Sequence, residues 1–332
     1  MIGGLRGLVK GSYNDGMPIE AQNPAETERE QSLESRVDEG IEQALAIVKA
    51  RYEDSPNPDD VLEFHNRAHT NDVVRRAHVI LEMIADSDPQ SVSERDLQRG
   101  RIAAAFHDVW QEYDITPDPD LDGSRTRVIR KKRSGSNEMK SADEAISFMR
   151  ESNEREGAVF TNDDEVVVRE AIMATVADYD PELRTAYQKN LRPESGVVAH
   201  ALALADLAGA GMDGPDQFFR EGAAFFREDN MDVSRAMRAL RGGEPMSDDD
   251  KAYYGERMRA WFALQVDFAR GRRDRFMKEL EGLPAAASQR LSEALFARFD
   301  SSIEAAEKRA ADVQGMSFED RARLMGYELP AA

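Results

Sequence analysis

The chain has no cysteine. Disulfides, thiolate nucleophiles and cysteine-ligated zinc or iron–sulfur sites are therefore excluded. It has no apolar run of 18 residues, so no membrane-spanning helix is expected. The opening MIGGLRGLVKG is too short and too weakly apolar for a signal peptide, which predicts a cytoplasmic protein. Positive charge is in the minority: 44 Lys and Arg face 64 Asp and Glu, a net charge of -20. Such a balance argues against non-specific binding to nucleic acid or to anionic membranes. Histidine is scarce as well, with five residues in 332, so where they fall carries information.

Hydrophobic residues at 41% and charged residues at 33% fit a globular chain with a sizeable core. Residues 1–33 are rich in glycine, proline and acid, and read as a mobile tail. From Leu33 onward the apolar residues recur at helical spacing, as in Val37, Ile41, Ala44, Leu45 and Val48. The pattern predicts further helices from about 61 or 65 to 86, 93 to 108, 141 to 151, 163 to 178, 181 to 191 and 196 to 210. Ser93 is the N-cap expected of the second of these. Residues 114–137 read as a long loop punctuated by Pro117, Pro119, Gly123 and Gly135. Four or five more amphipathic helices follow residue 216, and no strand pattern stands out. The fold class expected is all-α: a helical bundle over 34–212, extended by a helical region over 213–332.

His65 and His69 stand four residues apart, on one face of one helix if that helix includes both. His107 and Asp108 end the apolar run Ile102 to Phe106, where core is expected. Asp206 lies in Ala201-Leu202-Ala203-Leu204-Ala205-Asp206-Leu207, with no charged neighbour. A carboxylate there needs a cation or several donors, because burying it alone is costly. The bland readings are a helix-capping aspartate, an Asp–Arg pair and surface histidines. Two imidazoles and two carboxylates together make a site for one divalent ion: Mn, Fe, Co, Ni, Zn or Mg. Such an ion would leave positions for water and substrate, and a water bound there is activated near neutral pH.

Phe64-His65-Asn66-Arg67-Ala68-His69, with Asp72-Val73, resembles the Y-H-N-x-x-H-x-x-x-V opening of metal-dependent HD-domain phosphohydrolases. It is also similar to the opening of the distantly related cyclic-nucleotide phosphodiesterase core. His107-Asp108 resembles the doublet that names that superfamily, and Asp206 its final aspartate ligand. The resemblance spans roughly 34–212, with about twenty specific positions. It implies an HD-type bundle in which His69, His107, Asp108 and Asp206 hold the metal. It implies that His65 protonates the leaving oxygen and that Asn66 fixes the helix turn or contacts substrate. Asn137-Glu138, with Ser141-Ala142, resembles an N-E-x-x-S-A element, in which Glu138 orients a ligand or the attacking water.

The chain departs from the pattern at Ala174-Thr175-Val176-Ala177-Asp178, where relatives often carry a histidine after the Ala-Thr pair. His200 is the only histidine between the doublet and Asp206, which favours one ion over two. The segment 125–133 holds six cations in nine residues, and Arg130 and Lys131 are taken as phosphate-binding candidates, the alternative being a solvated loop. Phe218, Phe219, Phe225 and Phe226 fit core better than substrate clamps. The function expected is hydrolysis of a phosphate ester of a small nucleotide or phosphorylated metabolite, with a homo-oligomer left open. The rival is an HD-fold binding or regulatory module that keeps the metal without hydrolysing anything. Oxidation at a di-iron centre would need more ligands than the sequence offers.

Overall fold

The computed structural model describes residues 24–119 and 125–330. The described residues are mainly helical, with twelve α-helices and two small antiparallel sheets, so the chain is not purely all-α. None of the helices is long and apolar enough to cross a membrane. Of the tail expected over 1–33, residues 1–23 lie outside the described residues. Residues 24–33 open helix α1 (Pro24–Val48), where Leu33 is already buried.

Side-chain caps set where several helices begin. Asn66 is extended, and its Oδ1 accepts the N–H groups of Ala68 and His69. Helix α2 therefore runs Arg67–Ser87 and leaves His65 outside it, in the preceding turn. Helix α3 (Glu94–Phe106) starts at the expected Ser93, in a reciprocal cap with Asp96. Between α3 and α4 the expected loop is a hairpin, β1 (Tyr113–Pro119) with β2 (Thr126–Lys132). Both strands of a two-stranded ribbon are edges, which tolerates Pro117 and Pro119 and hides the strand pattern from the sequence.

Helix α4 (Ser136–Glu156) and helix α5 (Asn162–Ala174) follow, the latter capped by Thr161. The helix expected over 181–191 is replaced by a hairpin of β3 (Ala177–Asp180) with β4 (Thr185–Gln188). Asp180 Oδ1 caps its turn by accepting from Glu182 and Leu183, and Arg184 adopts φ 51°. Gln188 then donates to the Ala203 carbonyl and Thr185 to Phe268, which ties the hairpin down on both sides.

Helix α6 (Val197–Asp206) is the centre of the bundle. Its residues 198–205 are all buried, as expected of a helix apolar on every side. It packs against α2, α3 and α5. Helices α2 and α3 come so close that a Cβ on Gly100 would stand 2.4 Å from Leu81 Cδ1. Beyond it come α7 (Pro215–Asp229), α8 (Met231–Arg241), the long α9 (Asp248–Glu279), α10 (Ala285–Arg290), α11 (Phe299–Asp312) and α12 (Phe318–Leu324). Phe276, Leu280, Leu291, Phe299 and Ile303 of this region belong to the same core as α2, α3 and α6. A second, smaller core joins Phe226, Val233, Met258, Phe262, Ala322 and Met325.

The first turn of α5 is joined to α3 by charge. Buried Asp164 accepts from Arg95 and Arg99, each through Nε at 2.7 Å, and from the Thr161 N–H. Burial works against its charge, but these donors win and lower its pKa from 3.8 to about 2. The stabilisation is present above the ordinary carboxylate pKa and is lost as pH falls through about 2. Asp164→Asn is expected to lower unfolding free energy by about 2 kcal/mol at pH 7. The gap should close toward pH 2 in denaturant titrations, and a gap independent of pH would contradict the assignment.

Candidate metal centre

Four side chains from three separated places converge. His69 comes from the first turn of α2, His107 and Asp108 from the end of α3, and Asp206 from the end of α6. One ligand atom from each lies within 4.8 Å of all the others. His69 Nε2 is 3.4 Å from Asp108 Oδ2 and 3.5 Å from Asp206 Oδ1. His107 Nε2 is 3.0 Å from Asp108 Oδ2 and 3.6 Å from Asp206 Oδ1. Ligands about 2.1 Å from one ion stand roughly 3 to 4 Å apart, so the set has the right span.

The donor set fits a cation on a second count. His107 Nδ1 is 2.7 Å from the Ala104 carbonyl, which holds the proton there and leaves Nε2 as a lone-pair donor. That Nε2 is buried without a hydrogen-bond partner, as are both ring nitrogens of His69. Orphaned nitrogens beside two carboxylates make a ready cation site. The fields are strong. Burial lowers the pKa of His107, but the neighbouring Asp108 and Asp206 raise it to about 10. Burial would raise Asp206, yet His107 and His69 hold it well below the usual carboxylate range. Asp108 is held low in the same way, by His107 and then Lys132. These are carboxylates built to stay charged.

Asp108 faces two ways. Its Oδ2 turns to the imidazoles, while its Oδ1 accepts from Gln111 Nε2 at 2.5 Å and stands 3.5 Å from Lys132 Nζ. His65 sits at the rim, with Nε2 3.8 Å from Asp108 Oδ2. Although outside α2, its ring centroid is 6.0 Å from that of His69. Its other nitrogen, Nδ1, is 2.5 Å from Glu228 Oε1 at the end of α7. Glu228 Oε2 accepts the backbone N–H groups of Phe64 and His65, and Tyr113 donates to Oε1 at 2.9 Å. Burial opposes ionisation of Glu228, but His65 and the two N–H donors bring its pKa down to about 2.

The remaining expected site residues are placed as follows. Asn66 caps α2 and donates to the Glu63 carbonyl. Glu138 is buried; one oxygen accepts from Gly135 N–H and the other stands 3.2 Å from Lys132 Nζ. Its neighbour Asn137 pairs with both backbone groups of Glu112, which locks the segment after Asp108. Arg130 is buried, with its guanidinium on the carbonyls of Val61, Glu228 and Asp59. Lys131 is exposed. The strand's period of two explains this: 130 and 132 share a face and 131 takes the other. His200 lies away from the centre, with Nε2 at the Glu281 carbonyl. Asp178 is exposed and accepts from the Tyr179 N–H.

Sequence reasoning missed Lys132 as an individual, Gln111, Tyr113 and Glu228. Lys132 was legible in principle, by alternation along Thr126–Lys132 once a strand is assumed. Glu228 had no local signal, because Arg-Glu-Asp-Asn reads as an ordinary polar helix end.

A divalent ion that binds only the folded state should raise the melting temperature. Manganese, cobalt, nickel or zinc is expected to shift it upward in the full-length protein. His107→Ala and Asp206→Asn should each abolish the shift; an undiminished shift in both would remove the centre.

No protein-family model matches the chain, and searches of curated proteins and of solved structures found no match to it.

Proposed function

We propose that the chain is a metal-dependent phosphohydrolase with an HD-type arrangement, acting on a phosphate ester of a small nucleotide or related metabolite. One observation carries the reading: His65 stands at the rim of four side chains that could hold a metal ion, with one nitrogen toward them and the other fixed by a buried carboxylate. A purely structural ion would not need such a group.

A divalent ion held by His69, His107, Asp108 and Asp206 would supply Lewis-acid polarisation of the phosphoryl group and activation of water. The chain's own residues do the rest. His65 delivers a proton from Nε2 to the leaving oxygen, and Glu228 keeps Nδ1–H engaged so that Nε2 is the nitrogen presented. Tyr113 and the N–H groups of Phe64 and His65 fix the Glu228 carboxylate, so the relay starts aligned. Lys132 adds positive charge beside Asp108, where phosphoryl oxygens would arrive.

The leaving group has an aromatic surface to meet. Phe225 is 39% exposed, an unusual position for a large apolar ring. It lies stacked 6.0 Å from Trp261 and edge-on 5.5 Å from Phe64, which in turn covers His69 at 4.4 Å. A flat base carried on the leaving alcohol could stack there, which supports a nucleoside ester over one with no aromatic group.

The test is a screen of phosphomonoesters, phosphodiesters and nucleoside triphosphates with manganese, cobalt, nickel or magnesium. Hydrolysis is expected in at least one pairing. His65→Gln should lower kcat about 100-fold or more with metal retained, and Glu228→Gln about 10-fold or more. Metal binding with no hydrolysis of any ester would move the assignment to a binding module. Phe225→Ala should raise KM for an aromatic ester several-fold and leave an aliphatic ester unchanged; equal effects on both would detach the aromatic surface from substrate choice.

A further inference from the structure

We infer that Lys132 is the fixed second cation of this centre, holding it to one metal ion and receiving the phosphoryl oxygens on the face opposite the histidines. The inference rests on the metal centre proposed above and assigns to one side chain the reason that the centre holds a single ion.

Three carboxylates line the site: buried Asp108 and Glu138 flank Lys132, and Asp206, nearly buried, meets the imidazoles beside Asp108. Asp108 splits its oxygens, Oδ2 to the imidazoles and Oδ1 toward Lys132 at 3.5 Å. Glu138 Oε2 is used by the Gly135 N–H, and Oε1 has Lys132 at 3.2 Å but no hydrogen bond of good geometry. Asp108 is thus shared between a metal position and an ammonium. In two-metal hydrolases a carboxylate shared in this way bridges two ions about 3.5–4 Å apart. Here the second place is taken by a side chain.

Charge supports the assignment. A divalent ion and one ammonium balance three carboxylates. Remove the ammonium, and Glu138 Oε1 becomes a buried acceptor with no partner while Asp108 Oδ1 keeps only the neutral Gln111, which leaves two buried carboxylates short of a cation and is costly enough to recruit one. The position is imposed by the fold. Lys132 pairs with Tyr113 at the base of the hairpin, and Arg130, two residues earlier, is clamped to three carbonyls. The Lys132 ammonium has three donors for two carboxylates, which leaves one for a ligand. Among cations of the basic run it is the one that meets the centre, whereas Arg133 pairs with Glu112 and Asp114 at the surface.

The experiment counts manganese per full-length chain after equilibrium dialysis, and measures binding of inorganic phosphate to the loaded protein by calorimetry. Wild type should hold one ion and Lys132→Arg one. Lys132→Ala leaves room beside Glu138 Oε1 and the Gln111-bonded Asp108 Oδ1, and should hold two. Lys132→Met fills the space without charge; it should hold one ion and bind phosphate about 10- to 100-fold more weakly. Two ions in the wild type, one ion in Lys132→Ala, or undiminished phosphate binding by Lys132→Met would each overturn the inference. A wild type that binds no ion would defeat the centre and this assignment together. The expected counts without hydrolysis of any ester would defeat the proposed function and leave Lys132 as assigned.

Discussion

The burial of Asp108 and Asp206 against two imidazoles is the constraint from which the rest of the centre follows. Charged carboxylates in an apolar helical interior are tolerated only with compensation. Here the compensation is layered. His69 and His107 stand on one side, Gln111 and Lys132 on the other, and the imidazole nitrogens that face the carboxylates are left without hydrogen bonds. Such an arrangement could hold one cation at its middle. The same carboxylates that would hold a cation also set the fields on their neighbours, which is why His107 rises and Asp206 falls.

Around that middle, rigidity comes from local devices that are not themselves reactive. Asn66 starts α2 so that His69 lies in its first turn and His65 just before it. The Ala104 carbonyl fixes the tautomer of His107. Asn137 pins the backbone after Asp108, and Arg130 pins the hairpin that carries Tyr113 and Lys132. A site held by caps, carbonyls and a clamped strand has little freedom to drift, which suits chemistry that depends on alignment.

The C-terminal region is more than an appendage to this architecture. Its apolar residues complete the core shared with α2, α3 and α6, and its α7 supplies Glu228 to His65 and Phe225 to the aromatic surface. His200 on α6 reaches the Glu281 carbonyl and ties the central helix to the same region. Glu228 and Phe225, which meet His65 at the rim of the centre, thus come from beyond residue 212.

The sequence alone determined the helical character and the cap at Ser93, and it singled out the four residues that meet as a possible metal site. Each has a local mark: a 3.6-residue period, a Ser followed by Asp at the third position, His107, Asp108 and Asp206 at the ends of apolar runs, and His69 four residues after His65. Tertiary structure decided the two hairpins, the exit of His65 from its helix, and the roles of Lys132, Tyr113 and Glu228. Their partners lie from a few to more than a hundred residues away, and a polar side chain carries no local mark of which group it will meet. Strands made only of edges have no buried face to repeat, so their period stayed hidden until packing displayed it.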